Sequence, residues 1–287
     1  MPMNIRNILN QAAADLAKSG SLTSRLDAEV LLAAWLHIER LEFYKSPEKI
    51  LTEKEISGFA EWIKRREKGE PVAYITGIKE FWSLPFEVNR DVLIPRPETE
   101  ILVEEATTIA GTDFKSHPHL QILEIGTGSG AISIALAVEL PEARLTATDI
   151  SPAALLVARK NAIAHGVEGR INFLLGNLFE PVSGFFDVIV SNPPYISDEE
   201  YECLPRGVKN YEPEQALRAG KDGTSCHKKI IEGSRQYLQT GGWLLMEIGE
   251  AQGESIEKML TESGAFSDIE TRRDYGGMER VSKAKKI

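Results

Sequence analysis

Leu123-Glu124-Ile125-Gly126-Thr127-Gly128-Ser129-Gly130-Ala131 sets a glycine-rich turn between an apolar run that reads as a strand and a stretch that reads as a helix. Only backbone without a Cβ bends so sharply and lets a ligand come close, which explains the crowding of Gly126, Gly128 and Gly130 better than a merely tight turn does. Asp149 closes the next predicted strand, where its carboxylate is placed to accept hydrogen bonds from both hydroxyls of a ribose. Together the two features predict an adenosine-bearing cofactor at the carboxyl edge of a sheet, held by Gly126, Thr127, Gly128, Ser129, Gly130 and Asp149. The loop leaves the cofactor's identity open. Gly126-x-Gly128-x-x-Ala131 followed by an acid about 20 residues on also satisfies the dinucleotide fingerprint, so NAD stands beside a sulfonium cofactor, which offers the helix no pyrophosphate.

The surrounding sequence supports an α/β reading. Strand-like runs alternate with amphipathic helical stretches over residues 120–125, 131–139, 144–149, 152–165, 171–175 and 186–191, with further strands expected at 242–249, 268–273 and 280–284. Such alternation predicts a Rossmann-like parallel sheet covered on both faces. Before it, Ile5, Ile8, Leu9, Ala12 and Leu16, then Leu26, Val30, Leu31, Ala34 and Trp35, then Ile56, Phe59, Ala60 and Ile63 recur at helical spacing. They predict a small helical domain over residues 1–70, with capping boxes at Ser24-x-x-Asp27 and Thr52-x-x-Glu55. Between 71 and 97 the texture turns aromatic and β-branched, punctuated by Gly77, Pro85 and Asn89-Arg90-Asp91. This predicts a β-hairpin linker whose Phe81, Trp82 and Phe86 pack the two domains together, leaving 98–287 as the cofactor-binding domain.

At 287 residues the chain is long enough for two domains, and 42% hydrophobic with 26% charged residues suits a folded protein. A net charge of −10 argues against a broad grip on a phosphate backbone. Lys283, Lys285 and Lys286 read as a solvated basic end. Cys203 and Cys226 have no metal or disulfide spacing, the five histidines show no HExxH pattern, and no apolar run approaches the roughly 18 residues a membrane span needs. The expectation is a metal-free protein of the reducing cytoplasm.

Residues 186–191 read as the fourth strand, and Asn192-Pro193-Pro194-Tyr195 stands at its carboxyl end. The prolines fix φ and forbid further ladder bonding, so the chain must leave the sheet in a rigid extended turn beside the cofactor crevice. A planar NH2 group is a weak nucleophile because its lone pair is delocalised. The Asn192 side-chain oxygen and the Pro193 carbonyl can each accept one of its hydrogens and aim the lone pair, while Tyr195 stacks on the planar face. A purely structural Pro-Pro turn is as good a reading of the tetrapeptide alone, and loses only in this position beside the glycine loop and Asp149.

At these residues the sequence resembles the class I methyltransferases, and more narrowly the bacterial PrmC/HemK family of release factor glutamine methyltransferases. The narrower match rests on Pro71-x-Ala73-Tyr74-Ile75-x-Gly77, Glu80-Phe81-Trp82, Val92-Leu93-Ile94-Pro95-Arg96-Pro97-Glu98-Thr99-Glu100, Tyr211-Glu212-Pro213 and Asp222-Gly223, with Leu26-Asp27-Ala28-Glu29 and Gly241-Gly242 beyond them. The resemblance implies S-adenosyl-L-methionine as methyl donor and the N5 amide of the glutamine in the Gly-Gly-Gln motif of class 1 peptide chain release factors as acceptor. By the same resemblance Gly126 to Gly130 and Asp149 line methionine and ribose, and Asn177 and Leu178 lie near the adenine. Asn192, Pro193, Pro194 and Tyr195 hold the glutamine, with Asn192 also bordering the cofactor. Asn192, Pro193 and Tyr195 are then the catalytic set. Where the family often carries an acid near the adenine this chain has Asn177, which accepts without charge. Ala219 and Thr224 stand where the family tends to Gly and Leu, away from these positions. The helical domain becomes the surface for a whole folded partner, with no nucleic acid or membrane implied.

Arg96 and Glu98 read either as groups facing cofactor or substrate or as an ion pair within the linker. A DNA adenine-N6 or RNA guanine-N2 methyltransferase also suits the tetrapeptide, but meets the negative charge and the lack of an interleaved basic and aromatic surface. An NAD-dependent oxidoreductase leaves Asn192 to Tyr195 unexplained, and so does a binding protein without catalysis.

Overall fold

In the computed structural model, which describes residues 3–117 and 119–287, the early helical spacing becomes α1 (Ile5–Lys18), α2 (Ser24–Leu36), α3 (Glu42–Lys45), α4 (Glu53–Glu67) and α5 (Val72–Thr76). Their apolar faces close on one core in which Leu16, Ala28, Leu31 and Leu32 are wholly removed from water and Ile5, Leu9 and Phe59 almost so. Each such Leu or Ile contributes about 1.5–3 kcal/mol, enough for a small unit to hold its shape. The unit comprises residues 3–78 together with 205–211, which return to it late in the chain.

Thr52 caps α4 as its spacing predicts: its hydroxyl accepts from the Glu55 amide at 3.3 Å, and the Glu55 carboxylate accepts from the Thr52 amide at 2.7 Å. The Ser24 and Asp27 pair does not form a capping box. Thr23 is the N-cap and makes no side-chain cap, while buried Asp27 accepts from the Ser21 and Thr23 hydroxyls at 2.8 and 2.9 Å and from Arg66 Nε at 2.8 Å. Glu29 is buried in the same way, held by Arg25 at 2.7 Å and Arg40 at 2.9 Å. A buried carboxylate needs that company, and side chains rather than the helix-end amides take up both Asp27 oxygens. Leu26, expected in the core, is 45% exposed, because α2 is apolar on most sides and its pattern does not single out one stripe. Residues 72–76 form a short helix rather than part of a hairpin: Pro71 precedes it and Gly77 ends it at φ +78, and this punctuation outweighs the β-favouring composition.

The second unit holds residues 79–204 and 212–287. It opens on a hairpin of β1 (Ile78–Phe81) and β2 (Leu84–Glu87), whose turn places Trp82 and Ser83 at φ +53 and +57. Phe81, Trp82 and Phe86 find partners within this unit. The Phe81 and Phe86 rings meet edge-on at 6.0 Å, Phe86 lies 5.3 Å from His165, and the Trp82 indole donates to Glu139 at 2.7 Å. Residues 88–96 carry no regular structure.

The remaining elements alternate as expected: α6 (Glu100–Thr112), β3 (Gln121–Ile125), α7 (Ala131–Glu139), β4 (Arg144–Asp149), α8 (Pro152–Ala164), β5 (Ile171–Leu175) and β6 (Phe186–Ser191). Then come α9 (Asp198–Glu202), α10 (Arg206–Lys209, in the returning segment), α11 (Ser225–Tyr237), β7 (Leu238–Glu247), α12 (Gly253–Ser263), β8 (Phe266–Arg273) and β9 (Glu279–Lys286). The strands form one seven-stranded sheet in the order β5-β4-β3-β6-β7-β9-β8. The first five run parallel, but β9 is antiparallel to both of its neighbours, so the sheet is mixed. Its middle strands are largely buried, with Leu123, Ala147, Ile189, Val190 and Leu245 wholly removed from water, as a sheet covered on both faces requires. The lysines read as a solvated end instead sit in β9. Lys283 lies 3.0 Å from both Glu105 and Glu270, Lys285 is 2.6 Å from Asp113, and Lys286 donates to the Arg235 carbonyl at 2.7 Å. Val281 and Ala284, wholly buried in the same segment, anchor it in the sheet.

Candidate active site

Strand register builds the site. Ile125 pairs with Thr148 on one side and Ser191 on the other, and Ser191 pairs with Met246. The four residues that follow, Gly126, Asp149, Asn192 and Glu247, therefore stand in a row at the carboxyl edge. From β3 the chain steps outward to β4 and β5 and then returns to β6 on the far side of β3, a reversal of strand order that leaves a crevice between the ends of β3 and β6.

A cavity of about 260 Å³ opens in that crevice. Gly126, Thr127, Gly128 and Ser129 border it from the glycine loop, Asp149 from β4, Asn177 and Leu178 from the segment after β5, and Asn192, Pro193 and Pro194 from the turn after β6. Gly130 and Tyr195 are not on its wall. Gly130 caps α7 at φ +84, and a Cβ there would come within 2.9 Å of Ile134 and 3.2 Å of Ala158, so its smallness serves helix packing. The Tyr195 ring faces Glu247, and burial with that carboxylate beside it holds the phenol well above its ordinary pKa. Thr99, Glu124, Gln215, Cys226 and Ile230, none of them given a site role from the sequence, also border the cavity.

The fit of these residues to an adenosine cofactor with an amino-acid tail can be judged from their free valences. Asp149 accepts from the Gly128 amide at 2.8 Å and the Ser151 amide at 2.9 Å, which fixes both oxygens at the edge of the cavity, where the carboxylate can still accept from a ribose hydroxyl. Asn177 Nδ2 donates to Glu180 at 3.2 Å, leaving the side-chain oxygen to accept. Glu124 lies beneath the glycine loop, 1% exposed. One of its oxygens accepts from the Thr127 hydroxyl at 2.7 Å and from the Ser133 amide and hydroxyl; the other, Oε1, is buried without a partner. Burial pushes this carboxyl up to about 7. A cationic amino group reaching it would supply the missing donor and favour the ionised form, so the donor set fits such a cofactor.

The raised value has a consequence for the ligand-free protein. An acid whose folded pKa lies above its unfolded one holds its proton more tightly when folded, so this group's contribution to stability falls as pH rises from about 4.5 to about 7. The full difference is on the order of 3 kcal/mol. Glu124→Gln is accordingly expected to unfold later relative to wild type at pH 8 than at pH 5, as followed by thermal denaturation. A gap that does not change with pH would refute the assignment.

Behind the tetrapeptide, Asn192 Nδ2 donates to the Thr99 hydroxyl at 3.1 Å, and that hydroxyl donates to Glu247 at 2.6 Å. Glu247 is 1% exposed, and burial pushes it up to about 7. Arg96 does not pair with Glu98. It binds buried Glu212 at 2.6 Å, whose other oxygen accepts from the Ile94 amide at 3.1 Å, so Glu212 ties down the segment from Ile94 to Arg96. The Tyr195 carbonyl accepts from Gln252 Nε2 at 2.9 Å, and Gln252 also reaches the Gly223 carbonyl at 3.2 Å.

The PrmC N-terminal domain family matches residues 7–77, and the methyltransferase small domain family matches residues 100–205. The release factor glutamine methyltransferase of Geobacter sulfurreducens is 40% identical over 96% of this chain and 95% of its own length. That of Coxiella burnetii is 43% identical over 93% of each chain. Among solved structures, a methyltransferase from Pyrococcus furiosus is 21% identical and superposes with a TM-score of 0.51 over 72% of this chain and 91% of its own, a likeness of fold alone. Near-full-length identity at this level, on a class I methyltransferase sheet with a helical N-terminal unit, means that the chain belongs to the PrmC family of release factor glutamine methyltransferases.

Proposed function

We propose that this enzyme methylates the N5 side-chain nitrogen of the glutamine in the Gly-Gly-Gln motif of class 1 peptide chain release factors, with S-adenosyl-L-methionine as donor, in the cytoplasm. The observation that carries the reading is the register that sets Asn192 and Pro193 beside the glycine loop and Asp149 around one cavity, in a chain about 40% identical to proteins of that name. S-adenosyl-L-methionine, when bound, supplies an electrophilic methyl group on a cationic sulfur. Gly126 to Ser129, Asp149, Asn177 and Leu178 border the space for it, and Glu124 offers its unpartnered oxygen to the amino group.

The Asn192 side-chain oxygen and the Pro193 carbonyl each accept one hydrogen of the substrate amide, which turns the nitrogen lone pair out of conjugation and toward the donor. As the new N–C bond forms and the S–CH3 bond breaks, with its electron pair going to sulfur to leave a neutral thioether, positive charge appears on that nitrogen, and the same two acceptors would stabilise it. The extra proton is acidic once nitrogen is alkylated and leaves to water, so no dedicated base is needed. Buried Pro193 keeps the turn rigid. Tyr195, turned toward Glu247, supports the turn from behind, and stacking on the acceptor is left to a rearrangement on binding. Among the described residues no helix is long and apolar enough to cross a membrane.

Incubation with methyl-labelled S-adenosyl-L-methionine and purified release factor tests the reading. Label is expected on the wild-type factor and not on one whose Gly-Gly-Gln glutamine is alanine; equal labelling of both would sink it.

A further inference from the structure

A side-chain amide has two nearly isosteric ends, and turning it over exchanges an acceptor for a pair of donors. Recognition of a substrate NH2 therefore depends on which end of Asn192 faces the cavity, and Asn192 alone does not settle that. Thr99 sits on the short 3-10 turn Pro97–Thr99, is 4% exposed, and lies between Asn192 and Glu247. Its hydroxyl has one proton. That proton is committed to Glu247 at 2.6 Å, so toward Asn192 the hydroxyl can only accept, and it takes the Nδ2 hydrogen at 3.1 Å.

Glu247 is well placed to demand the proton. It ends β7 one position beyond Met246, the partner of Ser191, and buried it has few other donors. Arg280 from β9, Glu98 from the turn 97–99 and Tyr195 are the charged or titratable groups near its carboxylate, and His227 from α11 meets its backbone carbonyl at 2.8 Å.

We infer that Thr99 and Glu247 are positioning residues that hold the Asn192 amide with its oxygen toward the acceptor, so that the site selects an amide over a carboxylate. This rests on the glutamine reading above. Without the commitment to Glu247, the Thr99 proton is free to point at Asn192 Oδ1, the amide turns over, and its NH2 then opposes a substrate NH2 but welcomes a carboxylate.

Thr99→Val keeps the shape and removes the hydroxyl. With release factor as substrate and its glutamine-to-glutamate variant as competitor, wild type is expected to bind the glutamate form poorly. In Thr99→Val that discrimination falls at least tenfold and turnover falls by a similar factor, while the dissociation constant for S-adenosyl-L-methionine stays within twofold. Thr99→Ser restores both. Glu247→Gln, whose amide meets the hydroxyl with either a donor or an acceptor, lowers discrimination by a smaller factor and serves if Thr99→Val misfolds. A merely structural pair would lower turnover without moving the glutamine-to-glutamate preference, and that result overturns the inference. Wild-type enzyme that leaves the glutamine unmethylated would sink the functional reading instead, and this inference with it.

Discussion

Asn192→Ala is expected to lower methyl transfer about a thousandfold while leaving S-adenosyl-L-methionine binding nearly unchanged. The substitution removes one of the two acceptors that turn the substrate nitrogen toward the donor, and removing a single preorganised partner of developing charge typically costs a factor of about 10²–10³. It also leaves the Thr99 hydroxyl without the donor that now meets it at 3.1 Å. Cofactor affinity survives because the loop from Gly126 to Ser129 and the Asp149 carboxylate are held by bonds that do not involve Asn192. Single-turnover transfer of labelled methyl and equilibrium dialysis of the cofactor separate the two effects. Turnover within tenfold of wild type would mean that Asn192 does not touch the reacting amide.

Gly223→Ala should be almost as damaging, although Gly223 is not on the cavity wall. Its φ is +72, where a Cβ alone costs about 1–2 kcal/mol. A Cβ there would also fall on the Tyr195 carbonyl oxygen, within 2.8 Å of Gln252 Nε2 and 3.2 Å of the Ser197 amide. Two of these are backbone atoms and cannot swing aside, so the turn from Asn192 to Tyr195 must shift. A displacement of about 1 Å in a group that positions substrate commonly costs a hundredfold in rate. We expect a drop in kcat of that order together with a stability loss of about 3 kcal/mol from strain plus overpacking. Gly184→Ala is the control: its φ is +91 but a Cβ meets nothing within 4 Å, so it carries the strain without the clash. If both variants keep wild-type kcat, the turn does not depend on this contact.

Where a physical pattern is local, the sequence carried it. The strands at 144–149, 171–175 and 186–191 were readable because each is a short run with apolar residues at its buried positions that ends at a turn. The glycine loop and the proline turn were readable because each forces a backbone conformation few other residues accept. The failures have the opposite character. Asp27 looked like a cap because its partner Arg66 is 39 residues away and invisible to spacing. Residues 72–76 looked β-like by composition, yet Pro71 and Gly77 bracket a helix. Lys283 and Lys285 looked solvated because Glu105 and Asp113, which they bind, lie on or just past α6.

Thr99 and Glu247 were missed for the same reason, since 148 residues separate them. A signal existed nonetheless. Glu124 and Glu247 are carboxylates set within or at the end of otherwise apolar strands, and a charge that interrupts a buried run needs a partner or a ligand.

The placement of β9 bears on how the sheet assembles. Residues 279–286 do not form an edge: they fill the gap between β7 and β8, pairing with both. Without them β7 has one unsatisfied side and β8 has no partner among the strands of the sheet. The strand that carries Glu247 is therefore sealed by a segment more than 30 residues further along the chain. Loss of residues 279–286 would strip an interior strand rather than trim an edge.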